Sequence, residues 1–296
     1  MADADTSDRL RVGCCGFPLS LRRYAEEFSV VEVQQTFYQP PTFRTLEKWR
    51  GAVPAGFEFT LKAWQLITHE ASSPTYRRLG EKLSPQQRRE VGAFRLNATV
   101  LDAWRRTLAC AHTLSSRCIL FQCPARFAPT ATNKANLRDF FGEIKPELLS
   151  SPIPPPRVAA EAAPAPPAGP AFAAPSPAAA GSGEAPEGGA TPSSSQAEPL
   201  TCVWEPRGEW EVEEVRELCK ELDLVHGVDP FHQSPVAGPL GYFRLHGRTG
   251  YRYRYSDQDL EELREMAGKH GSCYVLFNNI SMLEDARRFQ RLAGLG

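Results

Sequence analysis

At 296 residues, with 42% hydrophobic and 23% charged side chains, the chain is long enough for one large core and reads as globular rather than fibrous or wholly disordered. A formal net charge of −1 excludes attachment to nucleic acid or anionic membrane by global charge, so any polyanion must be met by a local patch. There is no apolar run of about 18 residues and no signal-like start, so the expectation is a cytoplasmic protein with no membrane contact.

In chain order, eight short runs rich in β-branched and aromatic residues read as strands: RVGCCGF, VVEVQQTF, GFEFTLKAW, RCILFQCP, LTCVWEPR, LDLVHGVDPF, LGYFRLHGR and CYVLFNN. Helix signals lie between them. Thr42 is a cap candidate before TFRTLEKWRGAV, Asn97 or Thr99 opens the stretch around AWRRTLACAHTL, and Thr132 or Asn133 opens NLRDFFGEI. Ser256 followed by Asp259 resembles a capping box ahead of LEELREMAG. The eight cysteines form no C-x-x-C pair, and adjacent Cys14 and Cys15 are poorly placed for a mutual disulfide, so all are read as reduced and buried.

Between residues 150 and 199 the pattern breaks. This Pro/Ala-rich segment holds half of the 26 prolines and almost no large apolar side chain, so burial cannot offset its ordering entropy. It is expected to be a disordered insertion. Eight strands alternating with helices then give an α/β protein, a closed parallel (β/α)8 TIM-type barrel. Residues 1–149 supply the first four β/α units and 200–296 the last four units of the same barrel.

In such a barrel, chemistry gathers at the C-terminal ends of the strands. Those ends carry Glu32 and Tyr38, Lys62 with His69 after it, Gln122, Glu205 and Arg207, Asp229, Arg244, His246 and Arg248, and Asn278 with Asn279. Period-two spacing puts Glu32, Gln34 and Thr36 on one strand face, Glu58, Thr60 and Lys62 on another, and Arg244, His246 and Arg248 on a third. Unpaired charges cannot face the helix layer, so these point into the barrel mouth together.

The stretches VVEVQQTFYQPP, FEFTLKAWQLITH, ILFQCPARF, VWEPRGEW, YFRLHGRTGYRYRYSDQDL and YVLFNN, in that order, resemble the barrels of the domain of unknown function 72 family, also called YecE-like. The resemblance runs from Arg11 to Leu292 outside the proline-rich segment. It implies a β/α barrel with a polar pocket to which Glu32, Tyr38, Lys62, His69, Glu205, Arg207, Arg244, His246 and Asn278 contribute. Many members have a Thr-Ser-Gly-Trp-like turn where this chain has CCGF.

The residues themselves suggest several roles. Glu32 and Glu205 suit an acid–base pair, or alternatively a structural ion-pair network with nearby cations. Arg207, Arg244 and Arg248 suit a bidentate grip on a phosphate or carboxylate, with His246 or His69 as proton donor. Lys62 is a Schiff-base candidate, and Tyr38, Asp229, Asn278 and Asn279 complete the substrate contacts. The expected activity is hydrolysis of a phosphodiester or other anionic substrate, nucleotide or nucleic acid. The alternatives are a non-catalytic nucleic-acid-binding module using GYRYRY, or a sugar-phosphate isomerase or aldolase. No histidine spacing marks a metal site, and no motif assigns a cofactor.

Overall fold

The computed structural model describes residues 10–150, 153–154 and 200–295. The disordered insertion expected over 150–199 falls almost wholly outside the described residues.

All eight expected strands are present: β1 (Leu10–Cys15), β2 (Val30–Val33), β3 (Glu58–Lys62), β4 (Cys118–Gln122), β5 (Thr201–Glu205), β6 (Val225–Val228), β7 (Gly241–Leu245) and β8 (Cys273–Phe277). They pair in sequence order, every pair parallel, and β8 returns to β1, so the sheet closes into a TIM-type barrel. Closure leaves no strand edge unpaired. Four strands precede residue 150 and four follow residue 200, and β4 pairs directly with β5 along their full length.

The period-two pattern divides two cores. Val31, Val33, Phe59, Leu61, Ile119, Phe121, Cys202, Trp204, Phe243 and Leu245 pack outward beneath the helices. Cys15, Val30, Cys118, Leu120, Val203, Tyr242 and Leu276 pack inside the barrel. The next inward positions toward the C-terminal ends are the charged ones, Glu32, Lys62, Glu205 and Arg244, and all four are buried. Each of these four strands, β2, β3, β5 and β7, therefore delivers one charged side chain at its last inward position.

Local signals explain most helix starts. Thr42 accepts from the Thr45 amide and Asn97 from the Val100 amide, and Ser256 with Asp259 forms a capping box. The helix Ala131–Ser150 is capped ahead of the expected Thr132 or Asn133, since Thr130 Oγ1 accepts from the Asn133 amide. All eight cysteines are free and buried. Among the described residues, no helix is long and apolar enough to cross a membrane.

The junction of β1 and β2 is especially tight. Gly13 pairs with Val30, and a Cβ on Gly13 would lie 2.1 Å from the Val30 carbonyl oxygen. The Tyr24 hydroxyl bridges the same strands, accepting from the Cys14 amide at 2.7 Å and donating to Val30 O at 2.9 Å. Gly13→Ala is expected to destabilise the protein by about 3 kcal/mol, and Tyr24→Phe by about 1–2 kcal/mol through the unpaired amide and carbonyl. Urea midpoints at unchanged m-value would check both.

Candidate functional site

The charged layer at the C-terminal end of the barrel is organised by one side chain. Arg244, on β7, is 1% exposed, and its guanidinium spans the barrel between two carboxylates. Nη2 and Nε reach Glu32 at 2.8 and 3.0 Å, and Nη1 reaches Glu205 at 2.6 Å. Tyr242, two residues earlier on the same face, donates to Glu32 at 2.8 Å and lies 2.9 Å from Thr60 Oγ1. Gln34 donates to Glu32 as well. Burial, the largest single influence, would raise both carboxyl pKa values, but Arg244 together with Tyr242 and Lys62 at Glu32, and with Arg207 and Gln122 at Glu205, holds both below the usual carboxylate range. The two acids in turn push Arg244 well above its ordinary value.

Lys62 is treated differently. At the end of β3 its Nζ donates to Gln122 Oε1 at 2.6 Å and lies 3.7 Å from the centre of the Phe37 ring. Gln122 passes the connection on, its amide donating to Glu205 at 2.7 Å. The ammonium thus meets a neutral amide and an aromatic face, while Arg244 occupies both carboxylates. Burial, reinforced by the nearby Arg244 charge, lowers the Lys62 pKa to about 7. His69 packs edge-on against the same Phe37 and bonds Thr68 through Nδ1 at 2.7 Å. Burial, together with the charges of Lys62, Arg126 and Arg207, lowers its pKa to about 3.

Toward solvent, Arg207 donates through Nε to Glu205 at 2.9 Å and through Nη2 to His246 Nε2 at 2.8 Å. Arg244 Nη1 approaches the same nitrogen at 3.3 Å. Guanidinium groups only donate, so His246 Nε2 accepts and the ring proton is assigned to Nδ1, which faces Asp229 Oδ2 at 3.6 Å. Asp229 also accepts from the His246 and Phe231 amides at 2.8 and 3.2 Å, which fixes the two loops. Beside this group lies a cavity of about 250 Å³ lined by Glu205, Arg207, Asp229, His232, Gln233 and His246. A larger hollow of about 380 Å³ sits at the N-terminal ends of the strands, among Leu10, Phe28, Pro54 and Phe57. In this fold that end carries stability rather than chemistry, so the smaller cavity is the relevant one.

Glu32, Lys62, Glu205, Arg207, Asp229, Arg244 and His246 are therefore brought together, with His69 adjoining Lys62. Other expected members stand apart. Arg248 does not point into the mouth: β7 ends at Leu245, Gly247 turns the chain at φ +89°, and Arg248 pairs with Asp259 and Glu262 at 2.6 and 2.9 Å. Asn279 is buried away from the mouth, donating to Asp285 and to the Tyr253 carbonyl, both at 2.7 Å. Asn278 is half-buried and extends the barrel ladder through its amide, 2.9 Å from Leu245 O. The alternation of Glu32, Gln34 and Thr36 stops at Val33, where the helical turn Gln35–Tyr38 begins, so Thr36 instead bonds the Lys62 carbonyl at 2.7 Å. Tyr38 lies under the Arg78 guanidinium, 3.5 Å from its ring centre.

The run GYRYRY does not form an aromatic stripe. Tyr255 is in the core, stacked on Phe231, Tyr253 bonds Asp259 at 2.7 Å, and of the three only Tyr251 is exposed. Gln122 and Tyr242 are structural partners that the charged pattern alone does not select. Tyr242 was legible as the residue two before Arg244, and Gln122 as the last inward position of β4. Among the described residues no group of three or more His, Cys, Asp or Glu side chains is arranged to hold a metal ion.

No curated protein matches the chain. Solved structures resemble it in fold, among them the following three. A DUF72 family protein of Enterococcus faecalis is 20% identical, with 98% of this chain and 99% of that one covered and a TM-score of 0.62. A DUF72 family protein of Thermotoga maritima is 17% identical, with 97% and 99% covered and a TM-score of 0.56. A xylose isomerase domain containing protein of Salmonella typhimurium is 10% identical, with 96% and 94% covered and a TM-score of 0.51. At such identities the likeness is one of fold. The family model described as Protein of unknown function DUF72 matches residues 16–296, and the chain belongs to that family.

Proposed function

We propose that this barrel takes a small anionic carbonyl compound at its mouth and acts on it through the Lys62 amine, the chemistry of a sugar-phosphate isomerase or aldolase. The observation that carries this reading is the setting of Lys62, whose Nζ is held by a neutral amide and an aromatic face beside two carboxylates already bound to Arg244. With a pKa of about 7, half of the amine is unprotonated near neutrality, whereas an ordinary lysine is almost wholly protonated. The free amine adds to the carbonyl carbon, one proton passes from nitrogen to the oxygen and a second is taken from solvent, and water leaves to give the protonated imine. Lys62 is 6% exposed and is linked through Gln122 to Glu205, which lines the cavity, and Arg207, 42% exposed, has guanidinium donors to spare for the substrate's anionic group. The free thiols support a reducing, cytoplasmic setting.

This reading is favoured over phosphodiester hydrolysis by the state of the carboxylates. A general base works best with a pKa near the working pH, and Glu32 and Glu205 are both held low. His69 is held unprotonated and is not a ready cationic acid, and His246 Nε2 is occupied by two guanidinium groups. The nucleic-acid-binding alternative loses its aromatic platform, since Tyr253 and Tyr255 are engaged elsewhere.

Borohydride reduction in the presence of short ketones and aldehydes is expected to attach the probe to Lys62, read by peptide mass. The labelling rate should rise with pH through a midpoint near 7, and Lys62→Met should abolish it. Failure to label Lys62 across such a panel would remove the proposal.

The same shift predicts a stability effect. The folded pKa of about 7 lies below the ordinary 10.5, so between those pH values the unfolded chain binds more protons and stability rises with pH. Lys62→Met should lose that rise and exceed wild-type stability below the window, by up to about 4 kcal/mol. Denaturant midpoints across that pH range would measure it.

Glu205→Gln should act mainly on the fold, because it leaves Arg244 under-compensated, at a cost of about 3–5 kcal/mol. Glu205 has a depressed folded pKa, so its stabilisation is present above the ordinary value of 4.5 and is lost as pH falls. The variant's acid unfolding curve should accordingly be flatter than that of the wild type.

A further inference from the structure

We propose that Arg126, on the loop after β4, and Arg207 together form the oxyanion-binding pair of this site, and that Glu70 occupies Arg126 until the substrate's anionic group displaces it. The proposal rests on the Lys62 reading and names its substrate class: short carbonyl compounds carrying a phosphate or carboxylate group.

The two arginines are fixed relative to one another by their backbones. The loops after β4 and β5 are joined by the Cys123 amide, which donates to Glu205 O at 3.0 Å, and by Trp204 Nε1, which reaches Cys123 Sγ at 3.2 Å. Further out, Gly208 has φ +115° and packs so closely that a Cβ there would lie 2.4 Å from the Ala125 carbonyl oxygen. Trp210 Nε1 donates to Phe127 O at 2.7 Å, and the two rings stack at 5.8 Å. Arg126 thus stands between two residues pinned to the loop that carries Arg207. Both of its chain neighbours are held against that loop, while its own side chain is 47% exposed.

Contacts place both arginines on the side of the mouth that holds Lys62 and His69. Arg126 lies beside Glu70, the residue next to His69, and Arg207 is tied through Glu205 and Gln122 to Lys62, which shares the Phe37 ring with His69. Among the described residues the ion partner of Arg126 is Glu70, at 3.6 Å, a long and half-exposed contact. Glu70 is itself shared with Arg95, which holds it from the other side. Such a pairing contributes little stability and is easily exchanged. A phosphate or carboxylate entering between two arginines gains charge-assisted hydrogen bonds that Glu70 does not make. Arg244 cannot serve in this way, because its donors are spent on Glu32 and Glu205.

The test is calorimetric titration of the full chain with inorganic phosphate and, separately, with acetate, at low ionic strength; the tighter of the two identifies the anionic group. Arg126→Gln should weaken binding about tenfold, and Glu70→Gln, by removing the competitor, should tighten it about threefold. The opposite signs guard against a merely structural effect, since damage to the loop would weaken binding in both variants. Unchanged affinity in Arg126→Gln, weaker binding in Glu70→Gln, or a wild type that binds neither anion would overturn the proposal. Borohydride labelling of wild-type Lys62 with glycolaldehyde, which carries no charge, tests the amine chemistry separately from anion binding. Labelling of Lys62 in a wild type that binds neither phosphate nor acetate would sink the arginine pair alone. Anion binding that follows the variants while Lys62 resists labelling would sink the amine chemistry and leave the pair standing.

Discussion

The Arg244 guanidinium, shared between Glu32 and Glu205 across the top of the barrel, is the interaction on which the site depends. Burying one arginine and two carboxylates is unfavourable unless their donors and acceptors are matched. Here the matching is nearly complete: Tyr242 and Gln34 add to Glu32, while Gln122 and Arg207 add to Glu205. The arrangement draws polar side chains from β2, β4, β5 and β7 into one layer. It therefore fixes the upper ends of the strands relative to one another, where the apolar interior of Val203, Leu120 and Leu276 has ended.

This network also decides what each charged group is free to do. Two carboxylates and one arginine are satisfied by each other and carry a net charge of −1 between them; Arg207, half in solvent, balances it. Lys62 is then the surplus cation, held where burial and a second positive charge make its protonated form unfavourable. Its lowered pKa follows first from burial and then from the Arg244 charge, which the two acids oppose only in part. Had Lys62 reached Glu32 or Glu205 directly, the ion pair would have raised its pKa and made the amine inert.

Much of this was legible in the residues. Period-two spacing with a charged residue as the last inward position places Glu32, Lys62, Glu205 and Arg244 correctly, because a strand's side-chain direction follows from its sequence position alone. That logic fails as soon as the strand stops. Gly247 turns Arg248 out of the mouth, and the turn at Gln35 turns Thr36 and Tyr38 from strand positions into helical ones. The tyrosines of GYRYRY alternate as a strand would, yet the chain there is a tight turn, and Tyr255 returns to the core. Spacing rules carry geometry only through regular backbone.

What the pattern could not assign was partnership. Three arginines near one mouth suggest a grip on an anion, but whether a guanidinium is available depends on which acids reach it first, a question of distances across the barrel rather than along the chain. Arg244 and Arg248 are each claimed by two carboxylates. Arg207 has one carboxylate contact, and Arg126, which the strand-end rule passes over because it lies four residues beyond the end of β4, holds Glu70 only at long range. The cations available to a ligand are therefore those on the rim, and the buried ones serve to hold the rim in place. The same division explains why the site combines a rigid floor with an exchangeable outer pair. Desolvation rewards full pairing in the interior, and partial solvation allows a ligand to compete at the surface.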